Sequence, residues 1–226
     1  MQKKPSRFCF LIFLFVSYQF QKNSVFAEEV QSKKTKESIL YDHYQMTQKD
    51  SFKIKFLGKI TPGGSFEGQA IKASGKILID SIKKEIISGK FSVPIKSLTT
   101  GNNVRDRHMM EKYLEVNKKG MPSDIVLTVK SSSYQSLREK KVLIPVIWQI
   151  HGQEKESTIP LEDIKLPQKE GGKISISTKL KLNLKDFLIE VPSYLVVWMN
   201  EEVEVFVDLE ISYEGKKEKI ENHEKI

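Results

Sequence analysis

The sequence predicts an all-β fold, an extended eight-stranded antiparallel β-barrel with one inserted α-helix, on three observations. From Ser51 to Tyr213 apolar residues recur at every second position, the period that lines one face of a strand. Only one internal segment has helical spacing, too little to cover so wide a sheet, so the apolar faces must close on one another. The last alternating run, Glu202 to Tyr213, would extend roughly 40 Å at ~3.3 Å per residue, which suits a tilted barrel stave better than a sandwich strand.

Each element carries its own signal. Phe52, Ile54 and Phe56 alternate with Lys53 and Lys55; Gly75 to Asp80 follows; then Phe91, Val93 and Ile95 alternate with Ser92, Pro94 and Lys96. Ile125, Leu127 and Val129 make a shorter run, and Val142, Ile144, Val146, Trp148 and Ile150 a longer one. A short piece near Ser157 to Leu161 precedes Ile174, Ile176, Leu180, Leu182 and Leu184. Val203, Val205, Val207, Leu209, Ile211 and Tyr213 then face one way, with Glu202, Glu204, Asp208 and Glu210 opposite. Pro62-Gly63-Gly64, Ser88-Gly89 and Gly171-Gly172 punctuate these runs as hairpin turns do.

For the helix, Asn103 is the expected N-cap, with Asp106 three residues on. Met109/Tyr113 and Met110/Leu114 are i,i+4 pairs, and Gly120 and Pro122 stop the segment. The Val142 strand is apolar on both faces, with Leu143, Pro145 and Ile147 opposite. Its outer face calls for cover by the helix, the N-terminal lead-in or a second subunit, so a homodimer is among the expected partners. Pro145 cannot donate to a ladder and marks a bulge or an edge.

Charge and cysteine content exclude several classes once they are located. The chain has 37 Lys+Arg, 29 Asp+Glu and one cysteine. Residues 1–27 hold Lys3, Lys4 and Arg7, the apolar run Phe8 to Val16, and Val25 and Ala27 ahead of Glu28. These are the parts of a secretory signal peptide cleaved after Ala27. Nine apolar residues fall short of the ~20 that span a bilayer, so no transmembrane anchor is expected. Cleavage removes four bases and no acid, which takes the net charge from +8 to +4, and it removes Cys9. What remains cannot use disulfides or thiolates, and it is expected in the periplasm or secreted. The organisation read from the chain is a signal peptide over 1–27, a polar lead-in over 28–45, the barrel domain over 46–213 and a charged tail over 214–226.

Arg105-Asp106-Arg107-His108 is the densest polar cluster. Asp106 and His108 lie about 200° apart around a helix, so they do not share a metal or a proton. The structural reading has Asp106 supporting the helix start and Arg105 paired with a carboxylate at the barrel rim. The functional one makes Arg105 or His108 a ligand contact at an opening of the barrel. His151 reads as a turn residue, and His43 and His223 have no partner at metal-ligand spacing. No metalloprotease, nucleophile-elbow or phosphate-loop motif occurs, so neither a metal site nor catalytic residues are assigned. Lysines are spread evenly among glutamates, which disfavours nucleic acid as a partner.

Three stretches resemble the YceI-like family of exported lipid-binding proteins. Ser97-Leu98-Thr99-Thr100-Gly101, Arg105-Asp106-Arg107-His108-Met109 and Met121-Pro122-Ser123-Asp124-Ile125 form the first, with Met121 where the family usually has an aromatic. Ile150-His151-Gly152-Gln153-Glu154-Lys155 is similar to the family's hairpin. Asp186-Phe187-Leu188-Ile189, with Leu188 in place of the usual glycine, leads into the acid-studded last strand. The resemblance covers about residues 40–213. It implies a lipocalin-like barrel enclosing an apolar tunnel for a polyisoprenoid or similar long-chain amphiphile, with no cofactor besides such a lipid.

On that implication the tunnel lining is Phe52, Ile54, Phe56, Phe91, Val93, Ile125, Leu127, Val129, Val146, Trp148, Ile150, Val203, Val205, Val207 and Leu209. The expected function is a non-catalytic carrier or store. The alternative is a secreted interaction protein whose barrel is filled by these same side chains.

Overall fold

In the computed structural model the described residues are 39–136, 142–169, 171–194 and 196–218. The signal peptide, most of the lead-in and the end of the tail lie outside them. Fourteen strand segments form one antiparallel network. They are β1 (Leu40–Gln45), β2 (Phe52–Thr61), β3 (Ser65–Ala70), β4 (Ser74–Asp80), β5 (Glu85–Pro94), β6 (Leu98–Thr99), β7 (Asp124–Val129) and β8 (Ser132–Ser133). The remainder are β9 (Val142–Ile150), β10 (Gln153–Leu161), β11 (Asp163–Lys165), β12 (Ile174–Asn183), β13 (Ser193–Tyr194) and β14 (Val197–Glu218).

Among the described residues fourteen segments replace the eight strands expected because three staves are each broken in two and β8, β11 and β13 are short side pairings. β14 pairs along its length with β1 and then β2, which are successive parts of one stave interrupted at 46–51. β4 and β3 likewise continue each other beside that stave, and β5 and β6 beside those. With β7, β9, β10, β12 and β14 the staves number eight. The ring closes where β10 approaches β12: Glu162 N–H donates to Ser177 O at 3.1 Å, Thr178 Oγ1 donates to Pro160 O, and β11 pairs with β12.

Two expected boundaries move. Leu40–Gln45, assigned to the polar lead-in, is a strand between β14 and β4, with Tyr44 buried against Tyr213 at a ring separation of 5.5 Å. Gly215 to Glu218, assigned to the tail, pairs with it as part of β14, past a register shift at Glu214. A short polar strand shows no alternation of its own, but main-chain ladder bonds need none. On the outer face of β9, Leu143 is 57% exposed in the single chain. The helix lies over the cavity described below.

The inward faces divide into two zones. At the end where β1, β4 and the C-terminal half of β14 meet, Tyr44, Ile79, Tyr134, Ile174 and Ile211 are buried without lining any cavity. They pack that end solid. At the other end, where Thr61, Phe66 and Trp198 lie, the lumen is open.

Candidate functional site

A cavity of about 910 Å³ occupies the open part of the barrel, near the upper end of the usual range for small-molecule sites. Its walls come from the sheet: Ile54 and Phe56 of β2, Phe91 and Val93 of β5, Ile125, Leu127 and Val129 of β7, Trp148 and Ile150 of β9, and Val203, Val205, Val207 and Leu209 of β14. Two of the expected lining residues are elsewhere. Val146 is 1% exposed and does not line the cavity, although Ile144 and Trp148 on either side of it do, and Phe52 starts β2 beside the packed end. Several lining residues were missed, among them Phe66, Ile144, Ile159, Leu161, Ile176, Leu180 and Leu182. The β12 members carried the same two-residue period, so that signal was available.

The width of the lumen depends on glycines. Phe56 stands directly opposite Gly68, Phe66 opposite Gly58, and Phe91 opposite Gly75. A Cβ on Gly68 would sit 2.1 Å from Phe56 Cζ, one on Gly58 2.5 Å from Phe66 Cζ, and one on Gly75 2.1 Å from Phe91 Cδ1. Each ring therefore lies flat on a bare patch of the neighbouring strand. Aromatic rings that would fill the barrel if they pointed to its axis instead form its wall. Cross-strand aromatic cover of this kind also shields the glycine backbone.

Over the open end sits α1 (Asn103–His108), which passes directly into a π-helical turn, Met109–Tyr113. The cap is Asn102, one residue before the expected position, and its Oδ1 accepts from the N–H groups of Val104 and Arg105 at 3.1 Å. Asp106 accepts from Thr99 Oγ1 at 2.7 Å and from Thr100 N–H and Oγ1 at 2.8 and 2.6 Å. Burial works to raise its pKa, but these bonds and the neighbouring Arg105 hold it below the ordinary carboxylate value. Asp106 thus ties the helix start to β6, as its structural reading expected. Arg105 differs: its guanidinium lies 4.9 Å over the Phe66 ring, and among the described residues it has no carboxylate in an ion pair. Arg105, His108 and Lys112 all line the cavity, facing the segment that holds Glu190, Pro192, Ser193, Val197 and Trp198.

His151 joins the two sides of this rim. Its Nδ1 lies 3.1 Å from Phe187 O and its Nε2 3.2 Å from Glu115 Oε2, with the ring buried. Glu115, His151 and Leu188 all have left-handed φ values of 46°, 52° and 54°, a conformation costly for residues with a Cβ. The hydrogen-bonded corner holds all three. Leu188 takes the φ for which glycine is suited, which explains the residue expected there.

Residues 38–211 match the model of the YceI-like domain. The chain belongs to the YceI-like family. No curated protein matches the sequence. Among solved structures it is similar to BcnA of Burkholderia cenocepacia, with a TM-score of 0.57 and 14% identity over 70% of this chain and 95% of that one. It is similar to a polyisoprenoid binding domain from Saccharophagus degradans implicated in plant cell wall breakdown, with a TM-score of 0.56 and 14% identity over 76% and 98%. The Campylobacter jejuni YceI protein gives a TM-score of 0.53 and 18% identity over 66% and 85%. At these identities the likeness shows a shared fold. The YceI-like core of this chain thus combines a family barrel with a broken first stave and a lumen walled by glycine-backed rings.

Proposed function

We propose that this YceI-like protein is an exported, non-catalytic carrier or store for a long-chain amphiphile, a polyisoprenoid or similar lipid. The observation that carries the reading is the polarity of the cavity wall. Among the described residues its charged and imidazole side chains are Arg105, His108, Lys112 and Glu190, none of which is on a stave, and the staves supply aliphatic and aromatic groups almost throughout. An apolar chain entering such a wall gains ~25 cal/mol for each Å² taken out of water and needs no directional bonds along its length. A lumen of this size weighs against the filled-barrel alternative. The Saccharophagus degradans domain, which binds polyisoprenoid, lends support through the shared fold.

Solvent extraction of the purified mature protein followed by mass spectrometry is expected to release a stoichiometric long-chain lipid. Val205→Trp or Leu127→Trp, each projecting into the lumen, should lower that yield several-fold while the far-ultraviolet dichroism of the barrel persists. Unchanged yield in both variants would count against the tunnel. Arg105 and His108 are the inferred headgroup contacts. Arg105→Ala is expected to weaken binding of an anionic amphiphile about tenfold, the scale of one lost charge-assisted hydrogen bond, and equal affinity rejects that role.

A further inference from the structure

We propose that the rim of the cavity docks on an anionic lipid bilayer. The proposal rests on the carrier function above, since a bilayer is the surface from which an oily ligand would enter without crossing water.

Two features of the rim converge on that partner. The first is exposed apolar surface continuous with the interior. Val104 on the helix is 56% exposed, and Val197 and Trp198 on the facing lip are 42% and 47% exposed, yet all three also line the cavity. Val196 beside them is 73% exposed. Large apolar side chains grouped at one opening mark an interaction site, and tryptophan is favoured at the level of lipid headgroups.

The second feature is charge. Many lysines of the barrel wall are matched by acids: Lys55 with Glu67, Lys59 and Lys179 with Glu204, Lys181 with Glu202, and Lys130 with Glu156, while Lys53, Lys76 and Lys90 are spread singly over three staves. On the helix the cations Arg105, Arg107 and Lys112 form no ion pair among the described residues. His108 lies with them; the acids of the helix lip are Glu111 and Asp106, whose carboxylate is taken up by Thr99 and Thr100, so three cations face two acids there, and Glu190 is on the facing lip. The helix lip is thus a cationic edge beside an apolar one, complementary to anionic headgroups above acyl chains. A second copy of the chain seated there would bring two cationic edges together, which disfavours it.

The test uses the mature full chain and vesicles of phosphatidylcholine, with or without phosphatidylglycerol. Co-sedimentation is expected with the anionic vesicles, weakening as salt is raised. Arg107→Ala combined with Lys112→Ala should lower partitioning about thirtyfold, from about fivefold for each cation near the surface. Trp198→Ser should lower it about tenfold through lost apolar contact. Lys130→Ala, on the flank, should leave it unchanged. Equal binding to both vesicle types, or by the double variant and the native chain, overturns the proposal, as does a dimer in light scattering that Trp198→Ser dissolves. The carrier function fails separately. Protein that yields lipid on extraction but ignores vesicles sinks the docking surface alone, and protein that docks but yields no lipid sinks the carrier.

Discussion

Gly68→Val is expected to empty the cavity of its ligand while leaving the barrel folded. A Cβ at this position would lie 2.1 Å from Phe56 Cζ and 2.5 and 2.6 Å from its two Cε atoms, so the ring cannot stay where it is. The backbone of Gly68 is ordinary extended strand between β2 and its neighbour, with no left-handed φ, and valine suits it. Strand propensity thus offsets part of the strain, and the net stability loss should be about 1–2 kcal/mol, at the lower end for overpacking. The functional loss is larger because the ring, displaced from Gly68 and flanked on its other side by Val205 of the adjacent β14, swings into the lumen that it now walls. Lipid recovered per protein, or uptake of an added fluorescent polyene fatty acid, should fall tenfold or more by the ring's obstruction of a single-file chain, roughly the cost of lost apolar burial. Gly68→Val combined with Phe56→Ala restores the width and should recover much of the uptake. A double variant that is worse than the single one would mean that the glycine serves stability and not the lumen.

The second large effect is on the fold. Asp50→Ala is expected to cost about 3 kcal/mol, the scale of losing several hydrogen bonds to one ionised group, and to lower Tm by about 9 °C in a domain of this size. Asp50 has no side-chain exposure and closes the break between β1 and β2. Thr47 N–H donates to its carboxylate at 2.7 Å, Ser212 Oγ at 2.6 Å and Lys173 Nζ at 2.8 Å, joining the first stave to β14 and to the start of β12. Burial works to raise its pKa, but the bonds from Lys173, Ser212 and Thr47 prevail and hold it far below the ordinary 3.8. A carboxyl whose folded pKa is depressed contributes stability that is complete above its unfolded value and is lost as pH falls through the folded one. Melts of the native chain and Asp50→Ala should therefore differ most at neutral pH, with the gap narrowing progressively below pH 3.8. A gap that stays constant through the acid range would assign the loss to packing alone. Asp50→Asn keeps the shape without the charge and should fall between the two.

Neither residue stood out in the sequence, and the reason is the same for both. Gly68 and Asp50 act through partners that lie on other strands, Phe56 in one case and Ser212 and Lys173 in the other. A two-residue period names the face a side chain takes, and Ile54, Leu127, Trp148 and Val205 were legible on that basis as lumen residues. It is silent about which of them their neighbours cover. Val146 obeys the alternation as well as Ile144 and Trp148 on either side of it do, yet it is covered while they reach the cavity.

The helix was legible as an element because caps and i,i+4 pairs are local. Its position over the open end came from the Asp106 bonds to Thr99 and Thr100. β1 was illegible because ladder bonds leave no mark on side-chain pattern, and its six residues became a strand only when β14 and β4 offered edges on both sides.

By itself, then, the sequence determined an all-β chain of alternating strands with one inserted helix, the motifs of the YceI-like family, and which faces are oily. Tertiary structure decided the rest: where the staves break, which end of the barrel is packed and which is open, and that the rings lie on glycines and leave a lumen of about 910 Å³. The physical reason is that alternation is a property of one strand, whereas register is a property of two and closure a property of all of them.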